Sequence, residues 1–320
     1  MSKAIYCDCG LVCRGDSDEE LLREAERHLR DDHPGLTGVG RHDLLAMAVE
    51  VAPEPSVDPS STDGPLVVRR SGAIATVILN RPDRRNALSL ALIESMRGEL
   101  AGLGADSSVR AIIIAGAGPA FCSGHDLTEM RDRDEYASRE LFEADSSLMQ
   151  SLHRLPQPVV ARVHGPASAA GCHLVAACDL AIASPQATFA VPGPIMGLVG
   201  TTAMAEVARL IGRRRAMQML LSGAPVSAEV ALEWGLINSV VPSDELAVAS
   251  HAMALSASAG APGTVAAAKA ALYENLDLAL PEAYRHATEL TWRSLPERDA
   301  QEGVAAFLEK RRPAWGPDSS

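Results

Sequence analysis

A continuous apolar run at residues 109–115 constrains the fold of this chain more than any other feature. A strand that is apolar at every position is typical of a parallel sheet covered on both faces. Further strands are predicted at 74–79, 159–163 and 180–183, and stretches with helical spacing of apolar residues separate them. Strands that alternate with helices in this way predict an α/β architecture.

Prolines and small polar residues fill residues 49–65, which have little periodic apolar character. Such a composition is typical of a linker. The sequence therefore predicts a small α+β N-terminal module at 1–48, a linker at 49–65, an α/β core at 66–256 and a helical C-terminal region at 257–320.

Charge and composition exclude several functional classes. The net charge of -12 argues against a protein that tracks nucleic-acid phosphates, which needs a basic surface. No apolar run is long enough for a transmembrane helix, and the first residues resemble neither a secretory signal nor a transit peptide. The six cysteines are not spread as in a disulfide scaffold. We therefore expect a cytoplasmic protein with reduced thiols.

Two small-residue loops, at 118–127 and 163–173, each follow a predicted buried strand and lead toward a helix. Small residues let a ligand approach the backbone closely, and exposed N–H groups at a helix start favour negative charge. Two such loops that face one point could hold the oxygen of an enolate, as an oxyanion hole does. The alternative is that the small residues serve tight packing only.

Residues 66–313 carry a set of motifs that together resemble the crotonase, or enoyl-CoA hydratase/isomerase, superfamily. They include LNRP followed by NAL, the FCSGHDL loop, the segment 165–179 that ends in ACD, ALEWGLINSVV at 231–241 and the tail 303–313. The resemblance implies a spiral of ββα units with a helical C-terminal trimerisation region. It also implies a homotrimer or a dimer of trimers.

The same resemblance implies a coenzyme A thioester as ligand. Its carbonyl would be held by the backbone N–H groups of His125 and Ala170. Arg81 and Arg85 would lie near the entrance of the CoA pocket. The tail residues Phe307 and Lys310 would reach the CoA nucleotide, although Lys310 could equally belong to a solvated charge cluster.

Hydratases of the family use two glutamates as acid and base, and this chain has His173 and Gly193 at those positions. Losing each acid/base group costs on the order of 10²- to 10⁴-fold in rate, so efficient hydration is doubtful. Thr201 occupies the position of a carboxylate that dienoyl-CoA isomerases use. His173 could be an acid or base near neutral pH, or a packed helical histidine.

Three readings of the function therefore remain open. The first is an enzyme of the lyase or isomerase type that stabilises the enolate of an acyl-CoA thioester, as in fatty acid metabolism. The second is a non-catalytic acyl-CoA binding or regulatory protein. The third is an enzyme like methylmalonyl-CoA decarboxylase, whose loop resembles Gly124-His125-Asp126, although Gly200 replaces the tyrosine of that enzyme. A thiol nucleophile at Cys122 is less favoured than a buried apolar cysteine.

The N-terminal module combines Cys9 and Cys13 with His28 and His33, at nearly the spacing of a tetrahedral zinc site. Cys7 is an alternative to Cys9. The segment resembles small metal-binding domains of unassigned function, and a module of this size gains stability from a metal. A structural zinc site is therefore predicted, with reduced cysteines and surface histidines as the alternative.

Overall fold

The computed structural model describes residues 2–6, 12–35, 39–51 and 64–315. The N-terminal module consists of β1 (Ser2–Tyr6), β2 (Val12–Gly15), α1 (Asp18–Asp32), α2 (Arg41–Met47) and β3 (Val49–Val51). Its sheet has the order β2-β1-β3, with both pairs antiparallel. The side chain of Ser17 caps α1 by accepting from the Glu20 N–H. Leu21, Leu22 and Ala25 of α1 then pack in a small apolar core.

The predicted linker begins too early, because its first three residues form β3. Val49 pairs with Ala4 and Val51 pairs with Ser2 at the edge of the module's sheet. The β-branched residues of the Val-Glu-Val triplet favour a strand, which the low periodicity of the longer window concealed. The remainder of the predicted linker, up to residue 63, lies outside the described residues.

The strands of the second part are β4 (Leu66–Ser71), β5 (Ile74–Leu79), β6 (Ala111–Gly116), β7 (Val159–Val163), β8 (Ala167–Ser168), β9 (Leu180–Ala183), β10 (Thr188–Ala190), β11 (Val226–Ser227) and β12 (Ser239–Val240). The main sheet has the order β12-β9-β7-β6-β5-β4. All of its neighbours are parallel except β4 and β5, which form an antiparallel pair. This topology confirms the predicted α/β architecture.

The helices of the second part are α3 (Leu90–Ala105), α4 (Leu127–Met130), α5 (Glu135–Arg154), α6 (Ala170–Ala177), α7 (Thr202–Ile211), α8 (Arg213–Ser222), α9 (Ala228–Trp234), α10 (Leu246–Ala257), α11 (Pro262–Leu276), α12 (Leu280–Ser294) and α13 (Arg298–Leu308). Short 3-10 turns occupy Pro82–Arg84 and Gly193–Met196. Helix α3 begins at Leu90, because the Ser89 side chain caps it by accepting from the Leu92 N–H.

A second, smaller sheet forms beyond the carboxyl ends of the main strands, in the order β11-β10-β8. An isolated parallel bridge between Cys122 and Ala167 joins the loop after β6 to this sheet. Another bridge joins Leu88, after β5, to His125. Segments that follow successive main strands are therefore brought side by side.

The main core lies between the large sheet and helices α3, α5 and α6, and every residue of β5 is buried. Helices α11 and α12 are different, since neither has a buried residue. Large apolar side chains are exposed along the C-terminal helices, among them Leu272, Leu280, Trp292 and Phe307. None of the helices in the described ranges is long and apolar enough to cross a membrane.

Candidate active site

The two small-residue loops cross each other beyond the main sheet. The Cys122 N–H donates to the Pro166 carbonyl at 3.2 Å, and the Cys122 carbonyl accepts from the Ser168 N–H at 2.9 Å. A Cβ atom added at Gly171 would overlap the Cys122 carbonyl oxygen and would lie 2.8 Å from the carbonyl carbon. The close approach of the two backbones therefore requires a glycine at 171.

Gly124 and Ala169 bring the loops together a second time. Gly124 has φ of +95°, and an added Cβ would lie 2.9 Å from the Ala169 Cβ and 3.3 Å from the Ala170 nitrogen. Ala169 precedes α6 with φ of 50° and ψ of -117°. Such a conformation costs a non-glycine residue about 1–3 kcal/mol, so the surrounding structure must hold it in place. The turn positions the first backbone nitrogen of α6 beside Gly124.

The backbone N–H groups of His125 and Ala170 have no hydrogen-bond acceptor among the described residues. In the bridge to Leu88, the Leu88 N–H donates to the Gly124 carbonyl and the Asp126 N–H donates to the Leu88 carbonyl. The N–H of His125 therefore points away from Leu88, because strand hydrogen bonds alternate in direction. Ala170 is the first residue of α6, where N–H groups have no partner within the helix.

Both residues line one cavity of about 590 Å³. Much of its wall is apolar, with Met130, Phe142, Val191, Met196, Leu198 and Val199. Its polar lining includes Arg84, Ser123, Thr128, Thr201 and Thr202. Two free amide donors beside an apolar cavity suit a ligand with one carbonyl oxygen and a hydrocarbon chain.

Asp126 and Arg81 hold the first loop in place. The Asp126 carboxylate accepts from the Thr128 hydroxyl at 2.6 Å and from the Arg81 guanidinium at 2.9 Å. The Thr128 hydrogen bond, helped by Arg81, holds the pKa of Asp126 below its ordinary value although burial opposes it. Arg81 also donates to the Ala87 carbonyl at 2.6 Å. The guanidinium of Arg81 is thus already occupied inside the loop, and its expected place near the CoA entrance stays a prediction.

The His125 imidazole belongs to a buried cluster that the sequence did not reveal. Its Nε2 lies 3.4 Å from Oδ1 of Asp145, and Oδ2 of Asp145 lies 3.7 Å from Nδ1 of His173. The Asp145 side chain is fully buried, and those of His125 and His173 are 9% and 5% exposed. Phe142 packs edge-on against the His125 ring, with the centroids 5.1 Å apart. One carboxylate therefore faces two imidazoles in a site shielded from water.

Burial acts to raise the pKa of Asp145, but the two histidines that face the carboxylate outweigh burial, and the pKa lies below its ordinary value. The carboxylate is therefore charged near neutral pH. The helical spacing of apolar residues around Asp145 did contain a signal that this residue is buried. Leu141, Ala144 and Leu148 define the buried face of α5, and Asp145 lies four residues after Leu141 on that face.

His173 and Gly193 stand where the resemblance places the two glutamates of the family, and their surroundings differ from each other. His173 lies behind Ala170 on α6 and is not among the cavity-lining residues. Gly193 does line the cavity, but a Cβ added there would lie 2.8 Å from the Gly200 Cα and 3.1 Å from the Leu198 carbonyl oxygen. The backbone of 198–200 thus closes over the position where the family has a carboxylate.

The remaining CoA contacts expected from the sequence do not meet at this cavity. Arg84, and not Arg85, is the arginine that lines it. Arg85 adopts a left-handed conformation with φ of 50° at the end of the preceding turn. Phe307, which is 83% exposed, lies on α13 beside a separate cleft, and Lys310 follows that helix. Within this single chain, the tail residues do not contribute to the site.

The three described cysteines of the second part are buried thiols. Burial raises the pKa of Cys122 and of Cys172 to about 12, and it also raises the pKa of Cys178. A thiolate is the nucleophilic form of cysteine, so these side chains are unreactive near neutral pH. The preference for a buried cysteine at 122 over a thiol nucleophile agrees with this arrangement.

We expect Cys122, Cys172 and Cys178 to resist alkylation by iodoacetamide at pH 8 in the native protein, because their pKa values lie far above that pH. All three should react after unfolding in guanidinium chloride, which is the control. Peptide mass spectrometry measures the labelled fraction at each cysteine. Rapid native labelling of Cys122 would contradict the buried state and would reopen the nucleophile reading.

The described part of the N-terminal module contains no group of three or more His, Cys, Asp or Glu placed to hold a metal. The rings of His28 and His33 do lie together, with centroids 4.8 Å apart, and Nδ1 of His28 is 2.7 Å from the Asp32 carboxylate. Cys13 is buried in the module's apolar core. Cys7 and Cys9 lie outside the described residues, so the four-ligand zinc site stays a prediction.

Comparison with known proteins gives a match for each of the two parts of the chain. Residues 2–42 match a family described only as a protein of unknown function, DUF1059. A solved structure of enoyl-CoA hydratase from Mycobacterium smegmatis covers 79% of this chain and 99% of its own, with a TM-score of 0.77 and 41% identity. The human enoyl-CoA hydratase domain-containing protein 3 covers 78% of this chain and 100% of its own, with a TM-score of 0.76 and 38% identity.

Curated relatives agree with these structures. The mouse mitochondrial enoyl-CoA hydratase domain-containing protein 3 is 40% identical over 250 residues, which are 77% of this chain and 83% of that protein. The 2,3-dehydroadipyl-CoA hydratase of Escherichia coli is 32% identical over 249 residues, 78% of this chain and 97% of that protein. The enoyl-CoA hydratase/isomerase family model matches residues 69–318. The chain therefore belongs to the enoyl-CoA hydratase/isomerase family.

Proposed function

We propose that this protein binds an acyl-CoA thioester and stabilises its enolate through the backbone N–H groups of His125 and Ala170. The observation that carries the proposal is the pair of amides without acceptors at the wall of one largely apolar cavity. Fixed donors aimed at a developing oxyanion are among the largest catalytic effects in enzymes, because they need no reorganisation during the reaction.

The acyl chain would lie against the apolar wall of the cavity, which includes Met130, Phe142 and Val191. Arg84 at the cavity would favour the negative charge of the CoA part of the ligand. The relatives' names support this ligand class, because one of them is a 2,3-dehydroadipyl-CoA hydratase. The C-terminal helices, with exposed Leu272, Trp292 and Phe307, would pack against neighbouring copies in a homotrimer or a dimer of trimers.

Ordinary hydration fits this site poorly. Of the described cavity residues, Asp126 alone has a carboxylate, and its oxygens already bind Arg81 and Thr128. Water addition needs one group to take a proton and another to supply one. A reaction that uses mainly the oxyanion hole is favoured instead. In the loss of CO₂ from a malonyl-type thioester, the electrons of the broken C–C bond become the enolate and a proton then returns to the α-carbon.

We expect purified protein to bind acetoacetyl-CoA as its enolate, because the two amides stabilise the negative oxygen. The near-ultraviolet absorbance of the enolate measures this directly, at a pH where the free compound is mainly the neutral ketone. Crotonyl-CoA should lose its conjugated absorbance on the order of 10²- to 10⁴-fold more slowly than with a two-glutamate hydratase assayed in parallel.

The outcomes separate the three readings. Enolate binding with turnover of a malonyl-type thioester would support the decarboxylase reading. Binding of acetoacetyl-CoA without an enolate band would overturn the oxyanion hole and would support a non-catalytic acyl-CoA binding protein. Brisk crotonyl-CoA hydration would show that the doubt about hydratase activity is wrong.

A further inference from the structure

We propose that the His125 side chain moves the α-proton of the bound thioester and that Asp145 is the residue that positions it. This inference rests on the proposed function, because it takes the carbonyl oxygen to be held by the His125 and Ala170 amides. It assigns a base to a site that lacks the family's carboxylates. It also moves the acid/base role from His173, expected from the sequence, to His125.

His125 lies at the wall of the cavity. Among the described residues that line the cavity, His125 alone carries an imidazole, and the single carboxylate is bound to Arg81 and Thr128. His173 does not line the cavity. Histidine is the side chain best suited to accept and return a proton near neutral pH. Of these two histidines, His125 is therefore the one that lines the cavity.

Covalent geometry places the α-carbon of the ligand close to the amides that hold its carbonyl oxygen. The α-carbon of a thioester is bonded to its carbonyl carbon, so it lies close to any group that binds the carbonyl oxygen. The backbone and side chain of His125 are joined at the same Cα. A ligand whose oxygen accepts from the His125 N–H therefore lies beside the residue that carries the imidazole, and the proposal places its α-carbon within reach of that ring.

The His125 ring is oriented with Nε2 toward Asp145. Nε2 of His125 is fully buried and faces Asp145 at 3.4 Å, with no closer hydrogen-bond partner among the described residues. A charged carboxylate there favours the tautomer that carries its proton on Nε2. Nδ1 then keeps its lone pair, and Nδ1 is the ring nitrogen nearer the backbone. Asp145 thus selects the tautomer in which His125 is a base.

Apart from the two histidines, the Asp145 carboxylate is isolated from the other polar groups of the described residues. Both of its carboxylate oxygens are buried without a hydrogen-bond partner at normal distance among the described residues, and they face only the two histidines. A buried charge of this kind is costly unless a positive charge forms beside it. An imidazolium on His125, formed by taking the α-proton, supplies that charge. His173 faces the other carboxylate oxygen, with Nδ1 at 3.7 Å from Oδ2.

The reaction step balances without any further reagent. The α-proton moves to Nδ1 of His125, and the electron pair of the C–H bond becomes the enolate, whose oxygen is held by the two amides. Reversal returns a proton from Nδ1 to the α-carbon. In heavy water the returning proton is exchanged for deuterium, so a saturated thioester reports the step although it undergoes no net reaction.

The test is α-hydrogen exchange of butyryl-CoA in heavy water, followed by proton NMR and mass spectrometry. We expect exchange with the wild-type protein. His125→Ala should slow it by on the order of 10²-fold or more, and Asp145→Asn by a similar factor, with the Kd for butyryl-CoA changed only a few-fold. His164→Gln is the matched control, since His164 contacts the Gly118 carbonyl outside the cavity and glutamine can keep that hydrogen bond.

A second measurement determines the tautomer of His125 in the wild-type protein. Nitrogen NMR of ¹⁵N-histidine protein should show a histidine with its proton on Nε2 and a lone pair on Nδ1, and its signal should disappear in His125→Gln. In Asp145→Asn that tautomer preference should weaken. If Asp145 had only a structural role, its replacement by asparagine would leave the tautomer of His125 unchanged. The opposite tautomer at His125 would overturn the inference.

Failure of this inference is distinguishable from failure of the proposed function. If butyryl-CoA binds and acetoacetyl-CoA forms its enolate, but no α-exchange occurs or His125→Ala exchanges normally, the role of His125 is overturned while the oxyanion hole stands. If no CoA thioester binds, the proposed function itself is wrong.

Discussion

Gly171→Ala is expected to lower the free energy of unfolding by about 3 kcal/mol or more, because the new methyl group has no space. The added Cβ would meet the carbonyl oxygen, carbonyl carbon and Cβ of Cys122. Two of these are backbone atoms fixed by hydrogen bonds to Pro166 and Ser168, so they cannot rotate away. Denaturant unfolding measures the loss. All three tryptophans, Trp234, Trp292 and Trp315, lie in the second part of the chain, so their fluorescence reports that part.

Gly98→Ala is the matched control for this substitution. Gly98 lies inside α3, and a Cβ there would meet nothing within 4 Å. The same change should therefore stabilise the protein by roughly 0.5–1 kcal/mol, through helix propensity alone. Equal stability of the two variants would show that the loops do not cross as closely as described.

Lys269→Met is expected to cost about 3–5 kcal/mol, because it leaves a buried carboxylate without its counter-ion. The Lys269 ammonium lies 2.6 Å from Asp179 and also donates to the carbonyls of Leu152 and Gln157 at 2.8 and 2.9 Å. Burial lowers the pKa of Lys269, and Asp179 opposes that shift. Asp179 in turn accepts from the Tyr273 hydroxyl at 2.8 Å, so the pair fastens α11 to the ends of α5 and α6.

Arg97→Met is the control for the lysine substitution. Arg97 pairs with Glu94 at 2.8 Å on the exposed face of α3, where an ion pair contributes little. Its replacement should change the free energy of unfolding by less than about 0.5 kcal/mol. Tryptophan fluorescence in guanidinium chloride measures both variants. A loss below about 1 kcal/mol for Lys269→Met would contradict the view that this ion pair holds the C-terminal helices to the core.

The sequence predicted the two loops, whose course follows from backbone spacing. An apolar strand followed by a run of small residues constrains the chain strongly, and both loops lie where the pattern indicated, with His125 and Ala170 at one cavity. The oxyanion hole that these two residues would form stays a proposal. The sequence does not determine the direction of a side chain. Arg81 could have faced solvent or the loop interior, and only the folded loop shows that Asp126 binds it.

Asp145 was missed for a different reason. It belongs to no motif, and an acidic residue in the middle of a helix is normally exposed. Its importance arises from the meeting of α5 with the FCSGHDL loop and α6, which are distant in sequence. His173 was assigned to the site by resemblance. It lies three residues after Ala170 on α6 and faces Asp145 behind the cavity wall. Long-range packing, not local pattern, determines both roles.

The contact between Gly193 and Gly200 also bears on how readily such a protein could change its chemistry. A glutamate cannot be introduced at 193 alone, because its Cβ would meet the backbone of residue 200, which has φ of +65°. The loop from 198 to 200 would have to be rebuilt before the carboxylate could be accommodated. A glutamate at 193 therefore requires at least two changes, one at that position and one in the backbone of 198–200. The role proposed for His125 requires no change of backbone.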